Sequence, residues 1–178
     1  MTKRLPKGKK VYLREPKAED FDELDALYKS SRRLHRGLVS PNFSREDFDN
    51  LLIRNKNENY ESLLICVRET GAIAGTITLS QIFRKAFQNA YLGYLLGEKF
   101  TGEGYMTEAV ELILKQAFLN LKLHRVEANV QPHNATSINV LRRCGFTKEG
   151  FSRNYLKISG KWRDHERWAI IKEDWKKV

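Results

Sequence analysis

A mixed α/β fold, a single sheet with helices on both of its faces, is what this sequence predicts. Three observations lead there. Short apolar runs such as AYLGYLL (90–96) read as strands, a long apolar repeat at three- and four-residue spacing (109–121) reads as a helix, and the two kinds of element interleave along the chain. With 178 residues, one domain spanning 1–178 is expected, opened by a basic segment, 1–10.

VYLREP (11–16) is a short strand that Pro16 stops, and a helix follows with Phe21, Leu24, Leu27 and Tyr28 on one face. A second helix over 42–56 has Ser44 as its N-cap, with Phe48, Leu51 and Leu52 behind it. Residues 62–82 form a hairpin, an apolar strand turning at Thr70-Gly71 into an alternating one. The strand 90–96 then enters a glycine-containing loop. Beyond it Ala109, Val110, Ile113, Leu114, Ala117, Phe118 and Leu121 mark the long amphipathic helix. RVEANVQP (125–132) is a strand closed by Pro132. Asn134 caps a short helix through Leu141 that stops at Gly145, a left-handed C-terminal position. The tail 151–171 is two strands around Ser159-Gly160-Lys161.

Hydrophobic residues make up 41% and charged residues 30%, the balance of a globular chain. No apolar run is long enough to span a bilayer, and MTKRLPKGKK lacks the apolar stretch of a secretory signal, so a cytoplasmic protein without membrane association is expected. Cys66 and Cys144 read as buried small residues. His35, His124 and His133 have no metal-ligand spacing, and no metal site is expected. The net charge is +10, from 32 basic and 22 acidic side chains, and half of that excess lies in Lys3, Arg4, Lys7, Lys9 and Lys10. Such a balance suits nucleic acid, a ribosome or a polyphosphorylated cofactor; for the tail itself, simple solvation explains the charge equally well.

The loop KFTGEGYMTEAV (99–110) places Gly102 and Gly104 ahead of the long helix. A strand feeding a helix N-terminus leaves N–H groups pointing along the helix axis, and with the positive end of the helix dipole they form an anion site. The glycines remove the β-carbons that would keep an oxygen away, Glu103 turns its side chain to solvent, and Lys99 adds charge of the right sign. A nucleotide-hydrolase loop would need Gly-Lys-Ser/Thr where Tyr105 and Met106 follow Gly104. A dinucleotide loop would need a third glycine near Thr107. Neither is present.

YLGYLLGEKFTGEGYMTEAVELILKQAF, followed by LHRVEANVQPHNATSINVLRRCGFTKEGF and NYLKISGKWRDHERWAI, resembles the GNAT superfamily of N-acetyltransferases, and within it the ribosomal-protein-alanine acetyltransferase branch. The likeness covers nearly the whole chain. It implies a central, mostly antiparallel seven-stranded sheet whose fourth and fifth strands splay apart. The family pattern Gln/Arg-x-x-Gly-x-Gly/Ala falls on Lys99, Phe100, Thr101, Gly102, Glu103 and Gly104, with Tyr105 next, and implies a site for the diphosphate of acetyl-coenzyme A. Lys99 departs from the usual Gln or Arg. By the same resemblance Asn134 contacts the pantetheine arm, Ser137 lies near the sulfur, and backbone around Leu95 and Leu96 pairs with the pantetheine amides as an added strand would.

The implied reaction is attack of a primary amine on the thioester. It needs a neutral amine, donors for the carbonyl oxygen and a proton for the thiolate. Some relatives protonate the thiolate with a Tyr seven residues after the motif Asn. That position is Leu141 here, which leaves Ser137, through a hydrogen-bonded relay. The strand position of a catalytic Glu in some relatives is Asn129, and a closing-hairpin Glu of another falls on Leu156. Glu127 is a candidate base through water or, equally, an ion-pair partner of Arg125. With no evident carboxylate base, an α-amine, or another weakly basic amine, suits the site better than lysine. At pKa ~7.7–8.0, about a quarter to two-fifths of an α-amine is neutral near pH 7.5, against roughly one part in a thousand of a lysine at ~10.4.

Acceptor selection falls to 31–43 and to the closing hairpin, where Tyr155, Trp162, Asp164 and His165 are acceptor-contact candidates that strand pairing explains equally well. The expected partners are acetyl-coenzyme A and a protein N-terminus, on a ribosomal protein or at the ribosome. A small-molecule amine (polyamine, amino acid or antibiotic) is the alternative within the fold, and a non-catalytic nucleic-acid-binding module the alternative outside it. A monomer or a homodimer suits the length.

Overall fold

The computed structural model describes residues 5–38 and 43–175. The chain runs β1 (Val11–Arg14), α1 (Phe21–Ser30), α2 (Arg32–His35), α3 (Arg45–Arg54), β2 (Glu61–Val67), β3 (Ile73–Ser80), β4 (Asn89–Leu96), α4 (Tyr105–Lys115), β5 (Arg125–Val130), α5 (Ala135–Arg143), β6 (Thr147–Ile158) and β7 (Lys161–Ile171). The strands form one seven-stranded sheet in the order β1-β2-β3-β4-β5-β7-β6. Every neighbouring pair is antiparallel except β4 and β5.

The sheet is covered on both faces, and β2 shows why. All seven of its residues are buried. Leu63, Ile65 and Val67 pack with Ala109, Val110 and Ile113 of α4, while Leu64 and Cys66 pack with Leu24 and Leu27 of α1 and Phe48 of α3. Successive strand residues point to opposite faces, so a strand buried on both sides reads as an unbroken apolar run. Each fully buried Leu or Ile contributes about 1.5–3 kcal/mol. Cys66 and Cys144 are both free and buried.

Local signals set the element ends. Ser44 Oγ accepts from Asp47 N–H (3.1 Å) while Asp47 accepts from Ser44 N–H (2.8 Å), the reciprocal cap that starts α3. The Asn42 start expected for that helix lies outside the described residues. Gly145 (φ +84°) ends α5, with Phe146 N–H on the Leu141 carbonyl at 3.0 Å. Ser159 (φ +49°) and Gly160 (φ +78°) make the tight turn between β6 and β7. Three features differ from expectation. β6 begins at Thr147, four residues ahead of the expected 151. α4 widens at its end into a π-helical stretch, Gln116–Asn120, where buried Gln116 donates to the Glu61 carboxylate at 3.1 Å. α2 is a single four-residue turn, too short to leave an apolar repeat in the sequence.

Candidate active site

The site starts where β4 and β5 part. They pair only over Asn89–Tyr91 with Arg125–Glu127, yet β4 continues to Leu96 and β5 to Val130. The unpaired stretches open a cavity of about 780 Å³. It runs from the head of α4 (Gly102, Gly104, Tyr105) through the gap, past Asn134 and Ser137 of the α5 start, to His35 and Arg36 and to His165 of β7.

At the head of α4 both glycines have positive φ, +86° at Gly102 and +78° at Gly104, a region that costs other L-residues about 1–2 kcal/mol. The space beside them is open. A β-carbon on Gly102 would have no atom within 4 Å, and one on Gly104 would meet only Lys10 Nζ, at 3.7 Å. Gly104 is the N-cap residue and has no side chain to cap with; the first helical bond is Glu108 N–H to the Gly104 carbonyl. The preceding N–H groups of α4 therefore face the cavity end without an intrahelical acceptor. This cradle of free N–H groups in open space at a helix head suits an anion.

Lys10 belongs to it as well. Its ammonium donates to the Glu103 carbonyl (2.8 Å), and the Glu108 carboxylate accepts from the N–H groups of Lys9, Lys10 and Val11 at 2.6, 2.8 and 2.8 Å. The end of the basic segment is thus tied to the first turn of α4. Glu103 is exposed, and its carbonyl takes that bond. Lys99 lies over the Phe100 ring (4.7 Å), and neither lines the cavity, whereas Thr101 does.

Along β4, Gly97 N–H donates to the Ala74 carbonyl on the β3 side (2.8 Å). Main-chain groups alternate sides along a strand. Leu95 therefore turns its N–H and C=O to β3, while Tyr94 and Leu96 present theirs to the gap. The Leu96 carbonyl is met there by His35 Nε2 at 2.9 Å, so that nitrogen carries a hydrogen. The Tyr94 hydroxyl, its pKa pushed above the ordinary tyrosine range by burial, donates to the Ser137 carbonyl at 3.2 Å. Asn134 Oδ1 accepts from Ser137 N–H (3.1 Å), which leaves the Asn134 amide N–H₂ free of that bond. Gln131 donates to the Gly37 carbonyl (2.8 Å) and ties the chain after α2 to the end of β5.

Of the hairpin candidates only His165 lines the cavity. Tyr155 packs against it at 5.9 Å between ring centroids, Asp164 Oδ1 accepts from Asn154 N–H (2.8 Å), and Trp162 is exposed on the hairpin. Glu127 lies outside the cavity lining, in an ion pair with Arg125 at 2.9 Å, and Arg125 also pairs with Glu149. Lys10, His35, Tyr94 and Gln131 were not singled out from sequence. Strand alternation could have pointed to Tyr94. The others depend on contacts between distant segments.

A family model described as an acetyltransferase (GNAT) domain matches residues 10–147. The chain belongs to the GNAT acetyltransferases. It is 45% identical over 119 residues (67% of this chain, 65% of the relative) to a probable N-acetyltransferase, YjcK, of Bacillus subtilis. It is 41% identical over 103 residues (58% of this chain, 53% of the relative) to the ribosomal protein uS5-alanine N-acetyltransferase of Escherichia coli. These matches span about half to two-thirds of the curated relatives' length. Among solved structures, Mycobacterium smegmatis RimJ in complex with CoA-disulfide superposes with a TM-score of 0.82 at 26% identity, over 94% of this chain and 85% of that one. No helix among the described residues is long and apolar enough to cross a membrane.

Proposed function

We propose that this protein transfers the acetyl group of acetyl-coenzyme A to the N-terminal α-amine of a protein, a ribosomal protein in the first instance. One observation carries the choice of amine: among the described residues, no Asp or Glu lines the cavity, while Arg36 and Arg143 do. A polyamine would need anionic partners and is repelled by these cations. A lysine ε-amine would need a strong base. An α-amine arrives partly neutral. The 41%-identical relative that acts on an alanine N-terminus supports the same choice.

In this reading the N–H groups at Gly102–Tyr105, with Lys10 beside them, hold the diphosphate. The gap-facing backbone of Tyr94 and the Leu96 N–H take the pantetheine amides, and the free amide of Asn134 adds a donor. The Ser137 hydroxyl, which makes no hydrogen bond of its own among the described residues, serves the departing sulfur. The acceptor enters between α2 and the β6–β7 hairpin.

A thiol-release assay with acetyl-coenzyme A over peptides of varied N-terminal residue, spermidine, free amino acids and an aminoglycoside tests this. Peptides beginning with a small residue are expected to give the highest kcat/KM. Faster turnover of spermidine or the aminoglycoside than of every peptide overturns the reading.

A further inference from the structure

A cavity without carboxylates still has to remove a proton from the amine, and the candidates within it are few. Arg36 and Arg143 offer only N–H donors, and burial raises the Tyr94 hydroxyl above the ordinary tyrosine range. His133 is exposed. The Nε2 hydrogen of His35 is committed to the Leu96 carbonyl, at the end of β4 that leads to the diphosphate loop. That leaves a lone pair on His35 Nδ1, but on a ring only half-buried and next to exposed Arg36. His165 is the buried histidine of the three that line the cavity. It is 3% exposed, it lines the cavity, and its Nδ1 lies 3.0 Å from the Arg163 carbonyl. A carbonyl can only accept, so Nδ1 carries the hydrogen and Nε2 the lone pair. Nε2 has no hydrogen-bond partner among the described residues, and it is not among the fully enclosed polar atoms left without one. Nε2 is therefore not fully enclosed, on a residue that lines the cavity.

We propose that His165 Nε2 is the base of the transfer, taking the proton of the acceptor amine as its nitrogen bonds the acetyl carbon. This rests on the acetyl-transfer reading above. The step balances as follows. The amine lone pair forms the C–N bond while the carbonyl π pair moves to oxygen. An N–H proton passes to His165 Nε2. The carbonyl reforms, the C–S bond breaks with its pair on sulfur, and the thiolate gains a proton through the Ser137 hydroxyl, which solvent refills from the imidazolium. The Tyr155 ring holds the imidazole from the β6 side, and the Arg163 carbonyl holds its tautomer.

The groups that bear on His165 are Asp164 on its own strand, Tyr155 on β6 and His133 from the turn before α5, and His35 and Arg36 line the same cavity. Burial pulls the His165 pKa below the ordinary histidine value and His133 acts the same way, against the Arg163 carbonyl and Asp164. The lone pair is thus available at pH 7, and the histidine adds a second acid limb at this lowered value, below the one that protonation of the acceptor amine sets at about 7.7–8.0.

Two measurements test the assignment. In ¹⁵N-histidine-labelled wild-type protein, NMR is expected to show His165 neutral at pH 7 with the hydrogen on Nδ1; a hydrogen on Nε2, or an imidazolium, overturns the proposal. This arm needs no acceptor, so a wrong acceptor class leaves it intact. His165→Asn keeps a donor for the Arg163 carbonyl and removes the base. With acetyl-coenzyme A and the best amine of the panel, kcat is expected to fall at least about 100-fold and to lose the lower of its two acid limbs, the amine's own limb remaining, with KM for acetyl-coenzyme A within roughly threefold. A kcat within about threefold of wild type, or a lower acid limb that persists unchanged, overturns it. Should the variant fail to fold, the NMR arm decides alone.

Discussion

Lys10→Met separates the charge at the head of α4 from the glycine backbone. The substitution keeps the aliphatic stem and removes an ammonium whose hydrogen bond is to the Glu103 carbonyl. That ammonium lies 3.7 Å from the place a Gly104 β-carbon would take. A diphosphate oxygen seated on N–H groups there, at about 3 Å, sits roughly 6 Å from Nζ. Unit charges at 6 Å in a water-like medium interact by about 0.7 kcal/mol, hence about 1.4 kcal/mol for two phosphate charges. At 0.15 M salt, with a Debye length of about 8 Å, roughly half survives. The expected loss of coenzyme affinity is therefore about tenfold at low salt and about threefold at physiological salt.

Calorimetric titration with coenzyme A at both ionic strengths measures this, alongside thermal melting. The Glu108 clamp on the Lys9, Lys10 and Val11 N–H groups uses main chain only, so the melting temperature is expected to hold within about 2 °C. Repeating the titration with dephospho-coenzyme A locates the contact: the same loss identifies the diphosphate, and a vanished loss the 3′-phosphate. Unchanged affinity at low salt would refute the reasoning and return Lys10 to the solvated tail.

Asn134→Ala removes the cap on Ser137 N–H and is expected to cost about 1 kcal/mol of stability, read by denaturant unfolding. Asn134→Asp retains the cap and the stability, yet both variants weaken coenzyme binding about fivefold, because each loses the amide donor. Ser137→Ala should lower kcat at least about tenfold with little change in coenzyme affinity; an unchanged rate removes Ser137 from the mechanism. Asp20→Asn breaks the paired contact with Arg14 (2.6 and 2.7 Å) and weakens the one from Lys17 N–H (2.7 Å), at a cost of about 2 kcal/mol in unfolding free energy. Burial works against the Asp20 carboxylate, but Arg14 and the Lys17 N–H outweigh it and hold its pKa below the usual range. A depressed carboxylate stabilises above its unfolded pKa, so wild type loses this contribution as pH falls through the lowered folded value. Stability of the variant should lack that part of the acid dependence.

What the sequence discloses about this site follows from how local each requirement is. Gly102 and Gly104 could be read directly because a positive φ excludes most other residues whatever surrounds it, and Asn134 because a cap bonds a residue three positions on. The parting of β4 and β5 came only with the family resemblance, since nothing in either strand's own pattern says that pairing stops at Tyr91 and Glu127. Lys10 looked like one more charge in a basic run until a carboxylate 98 positions away drew it beneath the loop. His35 and Gln131 likewise gain meaning from Leu96 and Gly37, which lie 61 and 94 positions away. His165 was legible as a hairpin residue near the acceptor, but its tautomer was not, because that depends on where the Arg163 carbonyl points. Lys10 apart, the end proposed to take the coenzyme is made of local backbone demands, and the end proposed to take the acceptor of long-range juxtapositions. On that proposal, the end that selects the amine is the one in which substitutions can change specificity without disturbing any motif.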